Sequence, residues 1–206
     1  MTVPQSLLAF VLAAGLVTVT PGLDTALVLR AAAAEGRRSG GWAAVGVGAG
    51  CLIWGGAVAL GLTALLAAST AAYALLRWAG AAYLLYLGVQ LLLKPRSALQ
   101  IEAAPSASGH PFRRGLFTNL LNPKVGVFYV SFLPQFIPTG VNAPAWTFLL
   151  AAIHVVLGLA WFAVLIGAIG RARRWLQHAT VVKSLDRLTG CVFVGFGLNL
   201  ALSRRD

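Results

Sequence analysis

The 206 residues carry a formal charge of +11 although only 10% of them are charged, and 59% are hydrophobic, for a mean hydropathy of +0.82. Soluble domains usually have about 25% charged residues, so this chain could not cover a water-facing surface, and both a soluble enzyme and a disordered chain are excluded. Apolar stretches recur along nearly the whole length; at about 20 residues per hydrocarbon crossing, there is room for about six helices and little else.

Span 1 is expected over residues 6–30, interrupted at Pro21-Gly22. The residues before it hold no basic cluster and no small-residue cleavage site follows, so it reads as a retained span. Span 2, over 42–68, has no charge, and span 3, over 72–93, stops at Lys94-Pro95. Tyr73, Trp78, Tyr83 and Tyr86 on span 3 include candidate interface anchors. Residues 94–111, rich in Pro, Ser and Ala, read as a joint between two halves, 1–93 and 112–206, of one transmembrane domain. Span 4, over 112–137, is interrupted at Asn122-Pro123; span 5 covers 145–170; residues 171–183 suit an interfacial helix; span 6 is short, over 188–202. Cys51 and Cys191 each stand alone in an apolar stretch and read as packing residues.

The positive charge could suggest nucleic acid, but that requires basic residues gathered on one soluble face. Here they alternate between connections. Arg30, Arg37 and Arg38, then Lys94, Arg96, Arg113 and Arg114, then Arg171, Arg173, Arg174, Lys183 and Arg187 fall in the first, third and fifth. The positive-inside rule places those three in the cytoplasm and both termini outside. Three spans on either side of the joint then enter from opposite faces. The fold expected is all-α and integral to the membrane, with six transmembrane helices as two inverted three-helix repeats, the first and fourth broken by proline. Interruptions at corresponding positions of two halves point to a transporter site at the repeat interface.

Four of the five acids, Glu35, Glu102, Asp186 and Asp206, fall in expected loops or at the terminus, which leaves Asp24 inside a span. A mid-helix Asp costs about 2.5–3.5 kcal/mol on insertion scales, so it needs a partner or a wet cavity. Lys124 is the lysine inside a span. At about 1.5 Å per residue it lies roughly 15 Å beyond Arg114, and Asp24 roughly 20 Å from Arg37, so their depths can match. One reading is an ion pair that fixes helix register; the other is a binding site. Pro21 frees a carbonyl and Gly22 permits close approach, and Pro123 does the same beside Asn119, Asn122 and Lys124. Free carbonyls and a carboxylate suit an ammonium group, the amide end of a broken helix suits a carboxylate, and Asp24 is placed to take and release a proton. Thr20 and Thr25, with Thr18, either line this site or bond their own helix. Asn119 and Asn122, three apart, are expected on one helical face. His154, alone in span 5, reads as a packed or hydrogen-bonded histidine. No cofactor is implied, and a metal has little support without a second ligand at helical spacing. Gly46 and Gly50 signal close helix packing, within one molecule or across a homodimer.

The stretch Thr20-Pro21-Gly22-Leu23-Asp24-Thr25, the later Gly115-Leu116-Phe117-Thr118-Asn119-Leu120-Leu121-Asn122-Pro123-Lys124 and its continuation Phe132-Leu133-Pro134-Gln135-Phe136 resemble motifs of the LysE/RhtB family of bacterial amino-acid exporters. The run from Ala79 to Gly88 is similar to that family's third span. The resemblance implies proton-driven efflux of amino acids or close derivatives by alternating access. Leu23 departs from it, standing where the family has a second proline, which implies a softer first break. Two other classes remain open on the residues alone. An ion or metal exporter would want clustered His, Cys or acidic ligands. A non-transporting membrane protein would hold Asp24 and Lys124 as a structural pair. An enzyme would want a convergent acid, base and nucleophile, which one Asp and one Lys do not make.

Overall fold

The computed structural model describes residues 2–68, 70–97 and 109–202. Among them there is no strand, and every element is helical. Three helices are long and apolar enough to cross a membrane, over Arg37–Gly61, Ala143–Gly167 and Ala179–Leu202, and a bent pair makes a fourth candidate. The apolar stretch Trp78–Leu93 is shorter. Most of the expected joint at 94–111, together with Glu102, Arg204, Arg205 and Asp206, lies outside the described residues.

The bent pair is the expected broken span. Helix α1 (Val3–Val19) ends where Pro21 has no N–H to give, and Thr20 and Gly22 take extended backbone. The chain turns by 53° before α2 (Leu23–Ala34) begins. Leu23 takes the first helical position of α2, so the break persists without a second proline. A turn at Gly36, with φ +96, in the region that favours glycine, leads into α3 (Arg37–Ala68), followed by α4 (Thr70–Leu93).

The second break is built differently. Helix α5 (Pro111–Leu120) starts with proline at its first turn and with His110 accepting the Phe112 N–H at 3.3 Å. Helix α6 (Pro123–Val127) is capped by Asn122, whose Oδ1 accepts the Lys124 N–H at 3.1 Å. A π-helical turn, Phe128–Phe132, and a 3-10 turn, Leu133–Phe136, follow. Pro134 cannot bond the Val130 carbonyl, and the helix widens before it and tightens after it. Nothing in hydrophobic periodicity announces that change of pitch. Helix α7 (Ala143–Gly167), capped by Asn142, runs into α8 (Ile169–Gln177) and α9 (Ala179–Leu202).

The last third corrects two expectations. The short amphipathic α8 ends at Gln177, and α9 starts at Ala179, nine residues before the expected span 6. Val182, Asp186, Thr189, Gly190, Phe193 and Gly197 form its buried stripe at helical spacing, while Lys183 and Arg187 face outward. Asp186, expected in a loop, is therefore inside a helix and fully buried.

Helix α3 sits at the centre, against α5, α7 and α2, while α4 pairs with α9. Glycine decides how close these helices come. A Cβ on Gly46 would collide with the carbonyl of Phe112, and one on Gly115 with that of Ala43, so α3 and α5 meet backbone to backbone. Gly50 faces Asn119, and Gly190 faces the Gly88 carbonyl. Gly46 and Gly50 thus serve packing within the molecule, settling that ambiguity. One core gathers Phe10, Phe128, Tyr129, Phe132 and Phe136; a second gathers Val28, Leu29, Val47, Phe162 and Leu176.

Candidate functional site

Backbone carbonyls lose their helical partners at the first break, those of Val17, Thr20 and Pro21 among them. Pro21 has no N–H for Val17, and the extended backbone leaves those of Thr20 and Pro21 outside either helix. Side chains fill the role. Lys124 Nζ, reaching over from the second break, donates to the carbonyls of Val17 and Thr20, each at 3.4 Å. Arg96 Nη2 donates to the Pro21 carbonyl at 2.5 Å. Two cations thus cap the negative end of α1. The carbonyls expected to stand open are occupied. A Cβ on Gly22 would meet Lys124 Nζ at 4.0 Å, an ordinary contact, so the close approach expected of this glycine is not what makes room for the lysine.

The second break receives the reciprocal gift from the first. Asp24, in the first turn of α2, accepts from Asn119 Nδ2 at 2.8 Å and from Asn122 Nδ2 at 3.4 Å. The asparagines do not share a helical face as expected. Asn119 lies within α5 and Asn122 outside it as the cap of α6, so they approach one carboxylate from either side of the break. Both are buried, Asn119 completely. Asn119 Nδ2 also contacts Cys51 Sγ at 3.4 Å.

The ion pairs among the described residues are Arg96–Asp186 and Arg114–Glu35. Asp24 and Lys124 are not one of them. The register-fixing pair is therefore corrected to an exchange: the acid of one break bonds the amides of the other, and the base of the second bonds the carbonyls of the first. Each keeps its charge free of a direct counter-ion, since amides and carbonyls supply neutral hydrogen bonds.

Asp24 and Lys124 line a common cavity of about 70 Å³, partly open to the surface, with Thr18, Thr20, Gly22, Thr25 and Asn122. Asn119, Pro21 and Pro123 stand behind it rather than in its lining. Thr20 fulfils the local alternative as well, donating to the Leu16 carbonyl at 2.8 Å and bonding Thr189 on α9. Thr25 is buried against the cavity. The Thr18 hydroxyl, also buried, has no protein partner.

Sequence reasoning missed the cavity's other wall. Cys51 lines it from α3, and His154 from α7, with Nδ1 2.9 Å from the Tyr129 hydroxyl. The signal was present in α7, where His154, Gly158 and Phe162 recur every fourth residue on one face. Cys191, by contrast, is exposed rather than part of the core expected of it. Among the described residues no group of His, Cys, Asp and Glu could hold a metal ion. Acid and base without a mutual bond, facing one mostly apolar cavity, make an arrangement that can receive a small dipolar solute.

A family model described as LysE type translocator matches residues 16–204. The chain is 33% identical over 197 residues to a threonine efflux protein of Escherichia coli, covering 90% of this chain and 92% of that one. It is 32% identical over 209 residues to the membrane protein YrhP of Bacillus subtilis, covering 97% of this chain and all of the other. It is also 29% identical over 198 residues to a homoserine/homoserine lactone efflux protein of Salmonella typhi, covering 95% and 96%. No solved structure matches it.

Proposed function

Because this chain belongs to the LysE type translocator family, we propose that it exports an amino acid or a close derivative from the cytoplasm, driven by the proton gradient. The observation that carries the reading is the cross-braced pair of breaks, with Asp24 and Lys124 both turned to one cavity and not to each other. The substrate ammonium takes Asp24, and its carboxylate takes Lys124 together with the amide end of α2. Thr20, Thr25, Asn119 and Asn122 hold that geometry, and Pro21, Gly22 and Pro123 make the breaks. Efflux proteins for threonine and homoserine among the relatives support a small zwitterion as cargo.

Coupling follows from the same contacts. Asp24 is held by neutral amides, so it can lose its charge without stranding a buried cation. A proton and the substrate ammonium then compete for one carboxylate, and the two occupancies alternate as the cavity opens to one side and then the other. The chain is one transmembrane domain of six spans in the bacterial inner membrane, two inverted halves around a joint at 94–111, with basic connections inside and both termini outside.

Uptake of labelled amino acids into inverted vesicles, with and without an imposed pH gradient, tests this. Wild type is expected to accumulate at least one neutral amino acid only when the gradient is present, and Asp24→Asn to lose accumulation. Gradient-driven accumulation by Asp24→Asn at the wild-type level would end the coupling role.

A further inference from the structure

We infer that His154 reads the side chain of the exported amino acid, as the hydrogen-bond partner of a substrate hydroxyl; the inference rests on the exporter reading above. The cavity has two kinds of wall. The helix breaks supply Asp24 and Lys124 for the ends every α-amino acid shares. The lining from α7 is His154, Val155, Gly158, Leu159 and Phe162, where the imidazole is the one polar side chain. Discrimination between amino acids falls to the lining beyond Asp24 and Lys124, where the imidazole stands with the Thr18 hydroxyl of α1 and Cys51 of α3.

The imidazole is held as a recognition group must be. Its Nδ1 lies 2.9 Å from the hydroxyl of Tyr129, a side chain with no exposed surface in the middle of the core. Its ring packs at 4.8 Å from the ring of Phe128 and 5.6 Å from that of Tyr129. With Nδ1 engaged, Nε2 is the nitrogen left for a ligand. Whichever nitrogen carries the proton, Nε2 offers one donor or one acceptor, and a hydroxyl answers either. A methyl group answers neither. A cationic side chain would need a second carboxylate, and among the described residues Asp24 is the one acid in the lining. An acidic side chain would compete with the substrate's own carboxylate for Lys124. The chemistry left is an uncharged, hydroxyl-bearing amino acid.

An apolar pocket discriminates weakly between isosteres, whereas a site committed to bonding a hydroxyl rejects the analogue without it. Transport in inverted vesicles is therefore compared for threonine against valine and for homoserine against norvaline, each pair differing by a hydroxyl in place of a methyl. Wild type is expected to favour the hydroxylated member by about tenfold or more. His154→Leu should bring the ratio to within about twofold by raising valine and lowering threonine, and His154→Gln should retain part of it. A ratio unchanged in His154→Leu, or a wild type indifferent to the hydroxyl, overturns the inference while the exporter reading stands. If His154→Leu carries neither member, Tyr129→Phe decides: freeing the imidazole should lower the ratio, and an unchanged ratio again overturns the inference. A wild type that moves no amino acid at all removes the exporter reading and this inference together.

Discussion

Two aspartates lie inside this helical bundle, and they are held in opposite ways. Asp24 meets two side-chain amides and faces a cavity. Asp186 has no exposed surface and meets Arg96 through three donors: the backbone N–H at 2.9 Å, Nε at 3.0 Å and Nη2 at 2.5 Å. A guanidinium grips a carboxylate most strongly in this forked geometry, and Arg96 also donates to the Pro21 carbonyl. The contrast separates two uses of a buried acid. One fixes α9 and the segment after α4 to the first helix break; the other is bound by neutral amides and faces the cavity.

The sharpest way to test that separation is to remove each partner and read stability and transport side by side. Arg96→Ala strands the buried Asp186 carboxylate and should cost about 3 kcal/mol, toward the low end for a broken buried pair because the arginine side chain is itself partly exposed. Thermal unfolding in detergent would show it as a clear fall in Tm. Asp24→Asn keeps an acceptor for Asn119 and should change stability by less than about 1 kcal/mol, while gradient-driven accumulation is lost. If both variants melted equally early, the two acids would have one role.

Glycine substitutions probe the same contrast through packing. A Cβ on Gly50 would press on Asn119, the donor to Asp24, whereas one on Gly190 would press on the Gly88 carbonyl beneath the Arg96–Asp186 pair. Each Gly→Ala change should cost about 1–3 kcal/mol of overpacking. Gly50→Ala is expected to lower the transport rate per folded molecule and Gly190→Ala to lower Tm with that rate preserved. Asn122→Ala removes the cap of α6 and one amide on Asp24, at about 1 kcal/mol, and should raise the substrate concentration needed for half-maximal transport. The smallest effect belongs to Thr20→Val. It takes away one partner of Thr189, and less than about 1 kcal/mol should register in unfolding, with gradient coupling intact.

Much of this was legible before any coordinates. Pro21-Gly22 and Asn122-Pro123 announce their breaks because proline withdraws an N–H wherever it stands, and Asp24 and Lys124 stand out because charge inside an apolar span is costly. What could not be read was pairing. An ion pair between the two is one of the two readings the residues allow, and only the arrangement of α1, α2 and α5 shows that each serves the other's backbone or amides. Asp186 was hidden by its neighbours Lys183 and Arg187, whose charge makes the start of α9 look like a loop until its buried stripe is seen. Arg96 was counted as one more cytoplasmic charge, since a residue next to Pro95 gives no sign of reaching Asp186, 90 positions away. His154 was visible, but whether a lone histidine faces a cavity or a neighbour depends on helix rotation.

The crossing of α3 and α5 has a mechanical consequence. At Gly46 and Gly115 the two backbones already touch, with no side chain between them to compress or swing aside. Separation there would open a void in an apolar interior, whereas rotation about the contact keeps the two backbones together. The crossing behaves as a rivet: the pieces on either side can pivot about it but not part. A motion about that point would be angular, with its amplitude growing with distance, and the far end of α3, 22 residues beyond Gly46, has a much longer lever than either end of the ten-residue α5.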